Sequence, residues 1–314
     1  MRAAIGAILN REGGPVGSQE LEALASRADL PWGGAPRLCP GEGCGLLWIP
    51  ASPNTALPPP SGATLPFGMP AAADRFTVVV DGTLDNRAEL ARQLGLPAAA
   101  AALGSEPLLI AAACERWGAE CPTQLIGEIA FLAWDRRERR LLAARDAVGS
   151  RELFFADLGR QQRFASQSSM IRDRPTLSDL DEEYVADLLA GADLWGPATP
   201  FRSVRRLEIG HRLAVADGRL ETRRYWAPAD RPLLRYRTDG EYGEHFLAVF
   251  REAVRRCLAT GGRVWSDLSG GLDSSSIVCV PSVSPRSEPV SWPLRSGPRC
   301  SRHVFWLFRQ SLQL

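Results

Sequence analysis

Ten consecutive residues, Ser266-Asp267-Leu268-Ser269-Gly270-Gly271-Leu272-Asp273-Ser274-Ser275, have the types and spacing from which anion chemistry can be built. Arg263-Val264-Trp265 reads as a short strand, two glycines then turn the chain, and Ser274 to Val280 opens a helix. A strand, a Gly-rich turn and a helix N-terminus make an anion cradle, because backbone N–H groups converge there and the helix dipole favours negative charge. Glycine lets the backbone approach a phosphate that a Cβ would hold away. Ser269, Ser274 and Ser275 add hydroxyl donors. Asp273 is the odd member, since a carboxylate among phosphates makes sense when a cation such as Mg²⁺ lies between them. The bland reading is a Ser/Gly-rich turn with a capping Asp; strand, spacing and acid together favour the phosphate site.

The elements that must hold this loop begin far upstream. Residues 3–9 read as a buried strand and Ser18 to Arg27 as a helix with Ser18 as a possible cap. Gly45 to Ile49 is a strand, and 50–70 is a Pro/Ser/Ala-rich loop. Phe76 to Asp81 is a strand that ends in a turn at Asp81-Gly82, followed by a helix from near Asp85 to Leu94. The alanines at 98–102 form a loop or short helix, and Glu106 to Trp117 is a helix. Ile129–Asp135 with Arg140–Arg145, and 153–156 with 163–166, read as hairpins. Many strands with few helices predict an α+β sandwich over about the first 175 residues. Asp217-Gly218 marks a further hairpin turn, beside an arginine cluster (Arg202, Arg205, Arg206, Arg223, Arg224) read as a solvated face. Glu241 to Leu258 is an amphipathic helix leading into the loop.

Composition narrows the class. The 314 residues suggest two domains, and 45% apolar with 23% charged residues is ordinary for a globular protein. A net charge of +1 argues against nucleic acid or an acidic membrane as the main partner. No signal peptide or apolar run of spanning length stands out, so the expected location is the cytoplasm. Seven cysteines show no paired CxxC spacing of a zinc site; free thiols are expected, with Cys39 and Cys44 the alternative redox pair. His211, His245 and His303 are scattered and form no visible triad.

The loop is not a Walker motif, which needs a lysine that this chain lacks. It resembles the SGGxDS pyrophosphate loop of the ATP pyrophosphatases, and SGGLDSS resembles the asparagine synthetase branch. Upstream, Val80-Asp81-Gly82-Thr83-Leu84-Asp85-Asn86-Arg87-Ala88-Glu89-Leu90 resembles that family's NGEIYNHxEL. Leu125 to Asp135 resembles LxGxFAFxLWD, and Leu141 to Gly149 resembles LxLARDxxG. Phe201 to Leu213 and 217–226 resemble TPFxxVRRLPPGHxL and DGxLxxRRYW.

The resemblance implies a glutaminase-like domain over 1–175, of the N-terminal nucleophile hydrolase type. An α/β ATP-pyrophosphatase (adenine nucleotide α-hydrolase-like) domain, incomplete here, would begin over 176–280. It implies ATP and Mg²⁺, a carboxylate activated as an acyl-adenylate with release of pyrophosphate, and displacement of AMP by a nitrogen nucleophile. Ser269, Gly270, Gly271, Ser274 and Ser275 would hold pyrophosphate, Asp273 would bind Mg²⁺, and the Leu268 backbone would face the nucleotide.

Two departures shape the reading. The family has cysteine directly after the initiator methionine, where this chain has Arg2, and arginine cannot attack an amide. The family's glutamine-binding Asn-Gly-Glu is Asp81-Gly82-Thr83 here. The expectation is a retained scaffold without glutamine hydrolysis, in an asparagine synthetase-like ligase acting on aspartate. Relatives that use an internal amine are the alternative: β-lactam synthetases, or lasso-peptide cyclases acting on a precursor peptide, whose DGRIDNR pattern residues 81–87 also resemble. The third possibility is an inactive truncated product. Residues 281–314 hold five prolines and one acid, with Pro281 standing where the helix should continue. An out-of-frame tail is the preferred expectation there, and a native disordered tail the other.

Overall fold

The structure is a computed structural model that describes residues 3–31, 33–51, 75–102, 104–172, 176–192, 196–228, 232–258, 264–268, 271–282, 287–291 and 304–310. Of these, 264–268, 281–282, 287–291 and 304–310 are described by backbone alone. Two compact units divide between Ala229 and Asp230, so the first runs well past the expected limit near 175.

In the first unit the strands are β1 (Ala4–Asn10), β2 (Pro15–Val16), β3 (Arg37–Cys39), β4 (Gly41–Glu42), β5 (Cys44–Ile49) and β6 (Phe76–Leu84). They continue with β7 (Gly127–Asp135), β8 (Arg140–Arg145), β9 (Phe154–Asp157), β10 (Gln161–Ala165), β11 (Arg205–Arg206), β12 (His211–Ala216) and β13 (Arg219–Arg224). One sheet has the order β11-β9-β10-β1-β5-β3 and the other β13-β12-β8-β7-β6. The pairings described within both are antiparallel.

Side chains alternate between faces along a strand, so a strand apolar at every position must be covered on both sides. On β1, Ile5, Ala7 and Leu9 enter the core between the sheets, while Ala4 and Ile8 enter an outer core. That outer core is closed by α1 (Ser18–Ala25) through Leu21 and Leu24, and by α4 (Ser168–Ile171) through Met170 and Ile171. On β7, Ala130, Leu132 and Trp134 face the sheet interface, while Ile129, Phe131 and Ala133 face α2 (Arg87–Gln93) and α3 (Glu106–Trp117). The result is a four-layer αββα sandwich. Fully buried side chains such as Phe131 and Phe164 each contribute roughly 1.5–3 kcal/mol.

Local differences from expectation have physical causes. Gly17 rather than Ser18 precedes the first turn of α1, and its N–H donates to Glu20 Oε2 at 3.0 Å. The expected turn at Asp81-Gly82 does not form. β6 runs on to Leu84, pairing Gly82 with Ile129 and Thr83 with Glu128. Gly82 adopts φ +119°, and a Cβ there would lie 1.8 Å from the Glu128 carbonyl oxygen. The Asp217-Gly218 hairpin does form, with both residues at positive φ.

The second unit contains α6 (Asp239–Leu258), β14 (Val264–Leu268), α7 (Leu272–Ser282), β15 (Ser287–Ser291) and β16 (Val304–Gln310); α5 (Glu182–Leu189) belongs to the first. β14, β16 and β15 form an antiparallel sheet in that order. Within 281–314, expected to be an out-of-frame or disordered tail, two stretches are strands, and Pro281 is the penultimate residue of α7 rather than its break. Pro289 lies on edge strand β15, the position in a sheet where proline is tolerated.

Replacing Gly82 with alanine should destabilise the first unit by about 3 kcal/mol or more, because the strained φ and the carbonyl clash act together. Urea denaturation of G82A against the parent chain measures it; an unchanged midpoint would show that β6 can shift away from β7.

Candidate functional site

The first candidate site lies where the chain enters β1. The Ala3 N–H donates to Asp81 Oδ1 at 3.0 Å, which joins the start of β1 to the far end of β6. Asp81 is buried, at 3% exposure. Arg151 reaches the same oxygen, with Nη1 at 3.8 Å, and places Nη2 3.4 Å from Glu128 Oε2. Arg2 lies outside the described residues.

A short loop after β8 aims Arg151. Asp146 Oδ1 accepts the N–H groups of Val148 at 3.1 Å and Ser150 at 3.0 Å, and Oδ2 accepts that of Arg151 at 3.0 Å. The buried Arg145 guanidinium donates to the carbonyls of Arg151, Leu207 and Gly149. Burial lowers the Arg145 pKa from its ordinary value, and Glu152 opposes that shift. The Tyr225 hydroxyl donates to the Arg145 carbonyl at 2.8 Å. The Arg145-to-Gly149 motif therefore organises backbone, and Arg151, which sequence reasoning missed, is the side chain it presents. Its only sequence signal is a cation five positions after Asp146, whose partner Asp81 is seventy residues away.

Neighbouring motif residues are also architectural. Asn86 donates to the Gln124 carbonyl at 2.9 Å and accepts the Ile126 N–H at 3.1 Å. Arg87 donates to the Leu84 and Ala101 carbonyls and pairs with Glu106 at 3.3 Å. His211 rests its Nδ1 2.9 Å from the Ile209 carbonyl oxygen, consistent with a structural role.

Amide hydrolysis by covalent catalysis needs a nucleophile and N–H donors for the developing oxyanion. An ionised Asp81 can only accept hydrogen bonds. The thiols of this unit stand elsewhere. Cys44 faces Leu9 in register, six residues along β1 from Ala3, roughly 20 Å away at the rise of a strand. Cys39 faces Leu46 and not Cys44, so these two do not oppose each other. Burial pushes the Cys39 thiol up to about 11 against a lowering influence from Arg136, and burial raises Cys44 as well. Cys114 and Cys121 lie in the core on the outer face of the second sheet.

The second candidate site lies in the second unit. β14 ends at Leu268, and α7 starts at Leu272, as the strand–turn–helix reading requires. Ser269 and Gly270 lie outside the described residues. The Ser275 N–H donates to the Gly271 carbonyl at 3.1 Å, and the Ser274 hydroxyl donates to the same oxygen at 3.2 Å. Gly271 thus caps the helix. Asp273 is exposed in the first turn, beside half-buried Ser274 and Ser275. An acid, two hydroxyls and a helix N-terminus are brought together, a donor set suited to phosphate with a bridging cation. Among the described residues there is no group of three or more His, Cys, Asp or Glu that could hold a metal.

The first unit is thus an αββα sandwich with a polar site just ahead of β1, at Ala3 and Asp81. Residues 63–226 match the family model described as glutamine amidotransferase domain, and residues 245–284 match that described as asparagine synthase. The chain belongs to the glutamine amidotransferase domain family. It is 26% identical over 223 residues to asparagine synthetase [glutamine-hydrolyzing] 3 of Bacillus subtilis, covering 70% of this chain and 36% of that protein. It is 24% identical over 208 residues to asparagine synthetase [glutamine-hydrolyzing] 1 of the same organism, covering 66% and 33%. Among solved structures, the glutamine phosphoribosylpyrophosphate amidotransferase of B. subtilis aligns with a TM-score of 0.44 at 16% identity, covering 73% of this chain and 50% of that one. The chain spans about a third of the length of the curated relatives it matches. Among the described residues no helix is long and apolar enough to cross a membrane.

Asp81 and Arg151 should couple by about 1–3 kcal/mol, because their opposite charges lie close together and largely shielded from water. A double-mutant cycle with Asp81→Asn and Arg151→Met, read by urea denaturation, measures the coupling. Additive losses would show that the two charges do not interact.

Proposed function

We propose that this chain is the amidotransferase-like and loop-bearing part of an asparagine synthetase-type ligase that spends ATP to join a carboxylate to a nitrogen nucleophile. The observation that carries this reading is the SGGLDSS sequence at a strand–turn–helix junction, with Asp273, Ser274 and Ser275 together in the first turn of α7. In it, the backbone of Leu268 faces the nucleotide, Ser269, Gly270, Gly271, Ser274 and Ser275 hold pyrophosphate, and Asp273 holds Mg²⁺. ATP with Mg²⁺ supplies the leaving group that makes the carboxylate reactive. The chain's own contribution is electrostatic, through donors placed where negative charge builds on the departing pyrophosphate.

The first unit acts in this reading as a scaffold that does not hydrolyse glutamine. Arg2 precedes Ala3 where a thiol would be needed, and the Asp81 carboxylate accepts the Ala3 N–H beside it. The nitrogen is therefore free ammonia or a substrate amine. Aspartate with ammonia is the first substrate pair. A precursor peptide that supplies both amine and carboxylate is the second, favoured by residues 81–87, whose Asp-Gly-Thr-Leu-Asp-Asn-Arg is closer to the lasso-peptide cyclase pattern. No nucleic-acid or membrane partner belongs to either, and a reducing cytoplasm suits the free thiols.

The test supplies the purified chain with ATP, Mg²⁺, aspartate and ammonia, or with a precursor peptide, and follows pyrophosphate. Release is expected, reduced about 100-fold or more by Asp273→Ala. Asparagine as product supports the synthetase, activity with peptide alone supports the cyclase, and silence with both overturns the ligase reading for this chain. With glutamine, no ammonia above a blank is expected; ammonia that Arg2→Ala abolishes would overturn the scaffold assignment.

A further inference from the structure

Cys114 Sγ and Cys121 Sγ lie 3.4 Å apart in the core on the outer face of the second sheet. Cys114 is in the last turn of α3, and Cys121 is in the 3₁₀ segment Gly118–Gln124 that follows it. Two thiols in a core can be no more than small hydrophobes. Three observations point further. The sulfurs are in contact, so a bond of about 2.05 Å needs a closure of only about 1.4 Å. Gly118, the turn between them, has φ +56° and no neighbour within 4 Å of where a Cβ would stand, so the connection can adjust. Finally, Cys114 lines a cavity of about 210 Å³, with Phe76, Ala133 and Leu142 on its walls and Arg75, Arg140, Asp135 and Glu138 around it. Cys121 is not among the lining residues, and it is fully buried.

We propose that Cys114 and Cys121 are a peroxide-reactive dithiol, with Cys114 the sulfur attacked through the cavity and Cys121 the resolving partner. Cys114, as thiolate, attacks one oxygen of hydrogen peroxide. The O–O bond breaks, a sulfenic acid forms, and the departing hydroxide takes up the released proton as water. The Cys121 sulfur then attacks the Cys114 sulfur. The S–O bond breaks, and hydroxide leaves with the Cys121 proton as a second water. Two thiols and one peroxide give one disulfide and two waters, and a small dithiol reductant reverses the change. Burial holds the Cys121 thiol above its ordinary range, which suits the partner that reacts second. The bond would close a ring from Cys114 to Cys121 and tie the end of α3 to the 3₁₀ segment. That segment's Glu120 pairs with Arg212 of β12.

Trypsin supplies the test, because cleavage after Arg116 puts the two cysteines on separate peptides. The folded full chain is exposed to hydrogen peroxide, unfolded in alkylating reagent, digested and mapped by mass. The expected product is a linked pair of the peptides that carry Cys114 and Cys121, separated by reductant. In Cys121→Ser, oxidation should stop at a Cys114 sulfenic acid that a cyclic dione captures; in Cys114→Ser, position 121 should remain an alkylatable thiol. Should either variant fail to fold, the map of the unaltered chain decides alone. Recovery of both peptides alkylated, under exposure that oxidises exposed Cys257 and Cys279, overturns the proposal and leaves two core hydrophobes. Linkage of either cysteine to a different partner overturns it equally.

Discussion

The first unit depends on one constraint: its central strands are covered on both faces. Because alternate residues of β1, β5, β7 and β8 enter different cores, neither sheet can be exposed without stranding a row of apolar side chains. Two sheets packed together use one face each, and the helices before and after them must close the other two. Polar chemistry is then confined to strand ends and the loops that leave them. Asp81 lies at such an end, in the last part of β6, where pairing with β7 runs out at Leu84 and Gly127. Its partners come from the start of β1 and from the loop after β8.

Packing and backbone satisfaction account for several of the motif residues around Asp81. Gly82 is needed because the Glu128 carbonyl occupies the space of a Cβ, and Gly127 because the Thr83 carbonyl does so from the other strand. Asn86 closes the turn after β6 onto Gln124 and Ile126, and Arg87 neutralises the buried Glu106. Asp146 and Arg145 spend their hydrogen bonds on backbone groups of a single loop. Each of these side chains satisfies a polar group that folding would otherwise leave buried and unpaired, a penalty of about 1–3 kcal/mol apiece. The sandwich requires them whether or not glutamine is hydrolysed.

The second unit is built on a different balance. α6 has a strongly amphipathic sequence, yet Phe246, Val249 and Tyr242 are exposed and no residue of the helix is buried. Phe246 and Phe250 stack on each other, with centroids 5.8 Å apart. β14 pairs antiparallel with β16, whereas a doubly wound sheet would give it parallel neighbours. The start of α7 is formed by local sequence, through Gly271 and the helix it caps.

What the sequence determined by itself was set by local rules. Strand periodicity, helix length and turn chemistry act over a few residues, so β1, β5, α3, the Asp217-Gly218 hairpin and the loop-to-helix junction were legible to within a residue or two. Other features were decided only in three dimensions. Gly82 reads as a turn until β7 is laid beside it, because its positive φ comes from the neighbouring strand's carbonyl. The extension of the sandwich to Ala229 depends on β12 finding β8, seventy residues earlier. Arg151 has little local signal beyond its place five residues after Asp146, because its meaning comes from a carboxylate on another strand. The pairing of Cys114 with Cys121 needed a helix end and a 3₁₀ turn to bring seven residues of chain back on itself. Contacts between distant residues depend on packing, and packing is what a linear pattern does not record.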